Sequence, residues 1–166
     1  MRRQSRIRKE PVVRSDATTY AGLDVHKRTI AVSLVVAGTG AVVEWQETND
    51  ATVARRLARR LQREAGGPVE CCYEAGPTGY VLQRRLRSEG VMCTVVAPSL
   101  IPVRPGSRIK TDRRDARKLG ELLWAGLLTA VHPPSEEQEA LRDLCRCRVG
   151  VVEDVAARRG LGRQNV

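Results

Sequence analysis

The sequence predicts an α/β fold, a mixed five-stranded sheet with helices on both faces. The chain is 42% hydrophobic yet has no Phe, two Trp and three Tyr. Val, Leu, Ile and Ala must therefore build the core, which suits a sheet covered by helices better than an aromatic-cored sandwich. From Thr18 onward, extended and helical patterns run in the order three strands, helix, strand, helix, strand, helix, an alternation typical of α/β organisation.

The elements follow from local pattern. Residues 1–17 are polar, basic and aperiodic, and are expected to be a disordered basic arm. TTYAGLDV, TIAVSLVVAG and AVVEWQET are β-rich runs broken by DVHKR and by Gly38-Thr39-Gly40, the mark of an antiparallel meander. Asn49 or Asp50 can cap a helix through about Glu64, with Val53, Ala54, Leu57, Ala58 and Leu61 on one face and Arg55, Arg56, Arg59, Arg60 and Arg63 on the other. PVECCYEA reads as a strand ending at Glu74, the Gly76-Pro77-Thr78-Gly79 turn leads into a helix through Glu89, and VMCTVVA is the last strand. A Pro- and Gly-containing loop after Pro98 precedes a helix in TDRRDARKLGELLWAGLL, with Thr111 as its cap. After Pro133-Pro134, Ser135 and Gln138 form a capping box for a final helix carrying Leu141, Leu144, Val151, Val152 and Val155. Residues 18–130 are expected to be one folded domain, and residues 131–166 a helical linker.

Charge narrows the class of partner. The net charge is +10, from 29 Lys plus Arg against 19 Asp plus Glu, and such an excess favours a polyanion through phosphate contacts and counterion release. Lys9, Lys27, Lys110 and Lys118 are the only lysines. Arg dominance suits bidentate phosphate recognition, although a GC-rich genome gives the same bias. No apolar run approaches a membrane span and no hydrophobic stretch follows MRRQSRIRKE, so a cytoplasmic, membrane-free protein is expected. The five cysteines lack metal-ligand spacing and read as small hydrophobes in a reducing compartment.

The most informative helix begins near Asp112. At 100° per residue, Asp112 and Asp115 share a stripe with Ala116, Leu119, Leu122, Leu123 and Leu127, while Arg113, Arg114, Arg117, Lys118 and Glu121 lie opposite. Acids that extend a core-facing stripe are costly unless a positive group meets them, and a metal ion would do so. Acids in a first helical turn also complement the helix dipole, so this helix alone does not decide. Asp24 and Glu74 both fall where a strand meets its loop, and sites in α/β sheets assemble at such ends.

GLDVHK, YEAGPTGY and KTDRRDAR, in this order and at these separations, resemble the signature of the DEDD transposases of insertion sequences. The amino-terminal domain of that family resembles the RuvC Holliday-junction resolvase, so the resemblance implies an RNase H-like fold over roughly residues 18–155. It implies further that Asp24, Glu74, Asp112 and Asp115 hold divalent metal, Mg²⁺ or Mn²⁺, as two ions ~3.5–4 Å apart. DNA transposition would then be the activity, with DNA and a structured guide RNA encoded by the element as partners. A serine on a separate carboxy-terminal domain would join covalently to DNA, and no serine of this chain matches its motif.

Lys27 belongs to the first motif and could meet a phosphate or be an ordinary turn lysine. Arg113, Arg114 and Arg117 could grip nucleic acid or be a solvated face. His26 has no second His or Cys at ligand spacing and reads as a turn residue. Homo-oligomers are expected through the apolar positions of the last helix. Three functions remain open: a transposase catalytic half, a catalytically incomplete nucleic-acid-binding remnant, and a free-standing RuvC-like junction nuclease.

Overall fold

The computed structural model describes residues 18–76, 78–102 and 111–161, with side chains through residue 158. The predicted arm, Pro77 and most of the loop after Pro98 lie outside the described residues. The chain divides into two compact units at Val131 and His132.

The first unit holds five strands: β1 (Thr19–Val25), β2 (Thr29–Val35), β3 (Val42–Thr48), β4 (Val69–Glu74) and β5 (Met92–Val96). Their spatial order is β3-β2-β1-β4-β5. The β1–β2 and β2–β3 pairs are antiparallel, and β1–β4 and β4–β5 are parallel. Short turns allow the meander, whereas the parallel additions need helical crossovers. Those crossovers are α1 (Val53–Ala65) and α2 (Val81–Ser88), and a third helix, α3 (Asp112–Trp124), follows β5. Leu57, Leu61 and Leu86 from α1 and α2 pack with Leu23, Leu34 and Tyr73 in the main core, while Leu119 of α3 packs with Cys72 and Val96 in a second cluster. The sheet is covered on both faces, as its aliphatic composition predicts, in an arrangement consistent with an RNase H-like fold.

The apolar stripe read for α1 is the buried one: Val53, Ala54, Leu57, Ala58 and Leu61. The helix starts later than the sequence reading placed it, because Asp50 spends its carboxylate on a turn. Its Oδ1 accepts from Thr52 N and Thr52 Oγ1, both at 2.8 Å, and Thr52 becomes the cap. The Arg face is largely tied up inside the molecule. Arg55 pairs with Glu89 at 3.3 Å, Arg56 with Asp50 at 3.0 Å and Arg60 with Glu47 at 3.4 Å. Arg60 also lies 4.5 Å from the Trp45 ring centroid, a cation–π contact.

Arg56 hydrogen bonds hold the Asp50 carboxyl at about 2, below the usual 3.8. A depressed acid pKa contributes stability that is present above the unfolded value and lost as pH falls through the folded one. Asp50→Asn is therefore expected to flatten the loss of stability between pH ~4 and ~2 and to leave the neutral-pH slope unchanged. Urea unfolding across that pH range checks it.

The packing of α3 on β1 positions the site. A Cβ on Gly22 would lie 1.8 Å from Ala116 O and 2.5 Å from Gly120 N, and one on Gly120 would lie 3.1 Å from Gly22 N. Gly22 thus lets strand and helix backbones touch, an approach that a side chain there would block, and Gly120 leaves the facing position on the helix small. Thr111 caps α3 as expected, its Oγ1 accepting from Arg114 N at 3.4 Å. The helix ends sooner than its stripe suggested. Gly126 takes a φ of 63°, Gly126 N donates to Leu123 O at 2.9 Å and Leu127 N to Leu122 O at 3.0 Å, a Schellman ending. Leu127 consequently falls beyond the helix and is exposed.

The second unit contains α4 (Glu136–Leu161). The predicted capping box is formed: Gln138 N donates to Ser135 Oγ and Ser135 N to Gln138 Oε1, both at 3.2 Å. Leu141, Leu144, Val151, Val152 and Val155 are exposed along it. Cys71, Cys72 and Cys93 are buried, as small hydrophobes should be, whereas Cys145 and Cys147 on α4 are exposed thiols.

Candidate metal centre

Strand alternation fixes which way the acids face. Ala21, Leu23, Cys71 and Tyr73 belong to the core shared with α1 and α2, so Gly22, Asp24, Cys72 and Glu74 face α3. The parallel register pairs Gly22 with Cys72 and Leu23 with Tyr73, which carries Asp24 and Glu74 to neighbouring positions at the carboxyl ends of β1 and β4. The helix contributes from above. Ala116 and Gly120 rest on Gly22, so the turn before them, with Asp112 and Asp115, lies over the strand end two residues further on. The Sγ of Cys72 donates to Leu119 O at 3.6 Å, a second tie between sheet and helix.

Asp24, Glu74, Asp112 and Asp115 all line one groove of about 1160 Å³. They are not equally close. Asp24 and Asp112 meet around His26, whose Nε2 lies 3.1 Å from Asp24 Oδ2 and 3.5 Å from Asp112 Oδ1. One ligand atom from each of these three residues falls within 4.8 Å of the others. Glu74 and Asp115 border the groove outside that closest cluster.

Burial pushes the Asp24 carboxyl above its ordinary range; the His26 contact opposes this, and the charges of Asp112 and Asp115 add to it. A half-buried carboxylate beside two others is a site deficient in positive charge. Oxygen donors with one imidazole are a donor set that fits a hard or borderline divalent ion.

Among the four candidate phosphate contacts, Arg114 and Arg117 border the groove, together with Lys118. Arg117 shares its charge with Glu121 at 3.1 Å. Lys27 and Arg113 are exposed and stand outside the groove lining. Sequence reasoning missed His26 as a member of the cluster. The available signal was strand periodicity, since positions 24 and 26 fall on the same side of an extended chain.

The pattern of the DEDD transposase family, described as a transposase, matches residues 21–160. The chain belongs to this transposase family. It is 47% identical over 141 residues to "Putative transposase y4qE" of Sinorhizobium fredii (strain NBRC 101917 / NGR234), covering 84% of this chain and 36% of that protein. It is 38% identical over 143 residues to "Transposase for insertion sequence element IS1533" of Leptospira borgpetersenii, covering 84% of this chain and 41% of that protein. The chain thus spans about two fifths of the length of these transposases. The matched region of the transposase family takes in β1, β4 and α3, which carry the four acids. Among the described residues, no helix is long and apolar enough to cross a membrane.

Proposed function

We propose that this chain carries the catalytic carboxylates of an insertion-sequence transposase and acts on DNA phosphodiesters. The observation that carries the reading is the groove: four acids from two strand ends and one helix open onto it, and Arg114, Arg117 and Lys118 border it. Asp24, Glu74, Asp112 and Asp115 would hold Mg²⁺ or Mn²⁺, with Asp24 and Asp112 meeting around His26. When bound, the metal supplies activation of the attacking oxygen and neutralises charge on the leaving one.

The protein's own part is placement. The Gly22–Gly120 contact keeps the helix acids over the strand acids, and the half-burial of Asp24 removes competing water from one side of the site. The Arg and Lys side chains along the groove hold the DNA backbone beside the acids by charge-assisted contacts. Scarce aromatic residues favour backbone and shape recognition over reading of unpaired bases. A structured guide RNA and a serine-bearing domain, both implied by the family resemblance, would complete recombination, the serine taking the covalent step.

The deciding assay mixes the chain with element DNA, guide RNA, a separately supplied serine-bearing domain and Mg²⁺ or Mn²⁺, and looks for joined product. Product is expected with the parent chain and absent with Asp115→Asn. Equal product from both would remove the acids from the chemistry.

Binding should be salt-sensitive, with log affinity falling against log salt at a slope of about −0.9 per duplex phosphate neutralised. Deleting residues 1–14 removes Arg2, Arg3, Arg6, Arg8, Lys9 and Arg14 along with Glu10, and should flatten that slope. Titrations of duplex DNA at several salt concentrations check this, and an unchanged slope would exclude the arm from the contact.

A further inference from the structure

We infer that His26 is itself a metal ligand, joining Asp24 and Asp112 on one divalent ion and biasing the centre toward manganese over magnesium. The inference rests on the reading of the four acids as a metal site and adds to them a residue from the β1–β2 turn.

A hydrogen bond accounts for one of the two His26 contacts, because Nε2 offers either one proton or one lone pair. Here the same nitrogen faces two carboxylates, at 3.1 Å and 3.5 Å. Octahedral ligands ~2.1 Å from an ion lie ~3 Å apart when they are neighbours. The His26–Asp24 spacing is close to that of adjacent ligands, the His26–Asp112 spacing is somewhat longer, and one donor atom from each of the three residues lies within 4.8 Å of the others, close enough to converge on one ion.

The turn that carries the imidazole is held on both sides. His26 N donates to Thr29 O at 2.8 Å, and Asn49 Nδ2 donates to His26 O at 2.7 Å. Asn49 stands just after β3, so the third strand of the meander braces a residue at the end of the first. These backbone bonds fix the position of residue 26, and from it the imidazole reaches between the two acids.

The donor set then predicts selectivity. Mg²⁺ takes oxygen ligands and keeps several waters. Imidazole favours the later divalent ions, and affinity for nitrogen donors rises from Mn²⁺ along the series. Loss of an outer-sphere partner alone weakens metal binding on the order of 10-fold, so loss of a direct ligand should do at least as much for Mn²⁺ and less for Mg²⁺.

The opposite assignment makes an opposite prediction. If His26 serves only as a counter-charge to the acids, it competes with the metal, and removing it tightens binding.

The experiment uses the full 166-residue chain with any affinity tag removed and Mn²⁺ alone as the probe. Pulsed electron paramagnetic resonance reads nitrogen coupling to the bound Mn²⁺, and calorimetry reads affinity. The expected result is nitrogen coupling in the parent chain, kept in His132→Gln, the only other histidine, and lost in His26→Gln. Affinity for Mn²⁺ should fall about 10-fold or more in His26→Gln, with a smaller change for Mg²⁺. The His26 ring is exposed, so the change removes no core packing, and the thermal transition of the metal-free variant verifies that it folds. Mn²⁺ bound without nitrogen coupling, or bound equally or more tightly by His26→Gln, would overturn the inference while leaving the acids as a metal site. No Mn²⁺ binding by the parent chain would overturn both.

Discussion

Gly22→Ala is expected to destabilise the chain by about 3 kcal/mol or more, the upper end of overpacking effects, and to abolish its response to divalent metal. The added Cβ would sit 1.8 Å from Ala116 O and 2.5 Å from Gly120 N. Both are backbone atoms of α3, so no side chain can rotate away, and relief requires moving the whole helix off β1. That movement separates Asp112 and Asp115 from Asp24, because the acids of both elements extend from the same end of that contact. Gly120→Ala provides the graded control. Its Cβ would meet Gly22 N at 3.1 Å and Ser33 O at 3.4 Å, a conflict that a shift of a few tenths of an ångström relieves. Helix propensity offsets part of it, by up to ~1 kcal/mol. Urea midpoints with an unchanged m-value measure both. Equal costs for the two substitutions would show that the crossing is looser than the backbone contact implies.

The second large effect is expected from Asp24→Asn, and its sign depends on metal. Without metal the variant should be slightly more stable than the parent. Burial and the charges of Asp112 and Asp115 both penalise the ionised Asp24, while the His26 contact favours it; an amide oxygen can still accept from His26. With Mn²⁺ at ~100 times its Kd the parent should gain ~2.7 kcal/mol, and the variant should lose most of that gain. In a reconstituted joining reaction the same change should lower the rate ~10³-fold or more, the equivalent of several kcal/mol of transition-state charge stabilisation. Thermal scans with and without Mn²⁺ give the first two results. An undiminished gain in Asp24→Asn would place the ion elsewhere.

Much of the fold was legible because its determinants are local. The meander shows in β-rich runs broken by short turns, the buried face of α1 in the spacing of Val53, Leu57 and Leu61, and the start of α4 in the Ser135–Gln138 reciprocity. Each depends on residues within a few positions of one another. The end of α3 was misjudged because the leucine stripe runs on to Leu127, whereas the Gly126 backbone reverses the chain first. The pairing of the Arg-rich face of α1 with Glu47, Asp50 and Glu89 was not legible, because those acids are brought against it from outside the helix.

By itself, the sequence determined the α/β class, the order of the elements, the strand-end and helix-start positions of the four acids, and a charge balance suited to a polyanion. These are properties of composition, short-range periodicity and motif spacing. Only the tertiary structure decided that His26 stands between Asp24 and Asp112, and that Glu74 and Asp115 line the same groove. Those relations join residues 24 and 112, far apart along the chain, and they depend on a strand and a helix approaching to backbone contact at Gly22 and Gly120. That distance of approach is set by two missing side chains, which leave no periodic signal in the sequence.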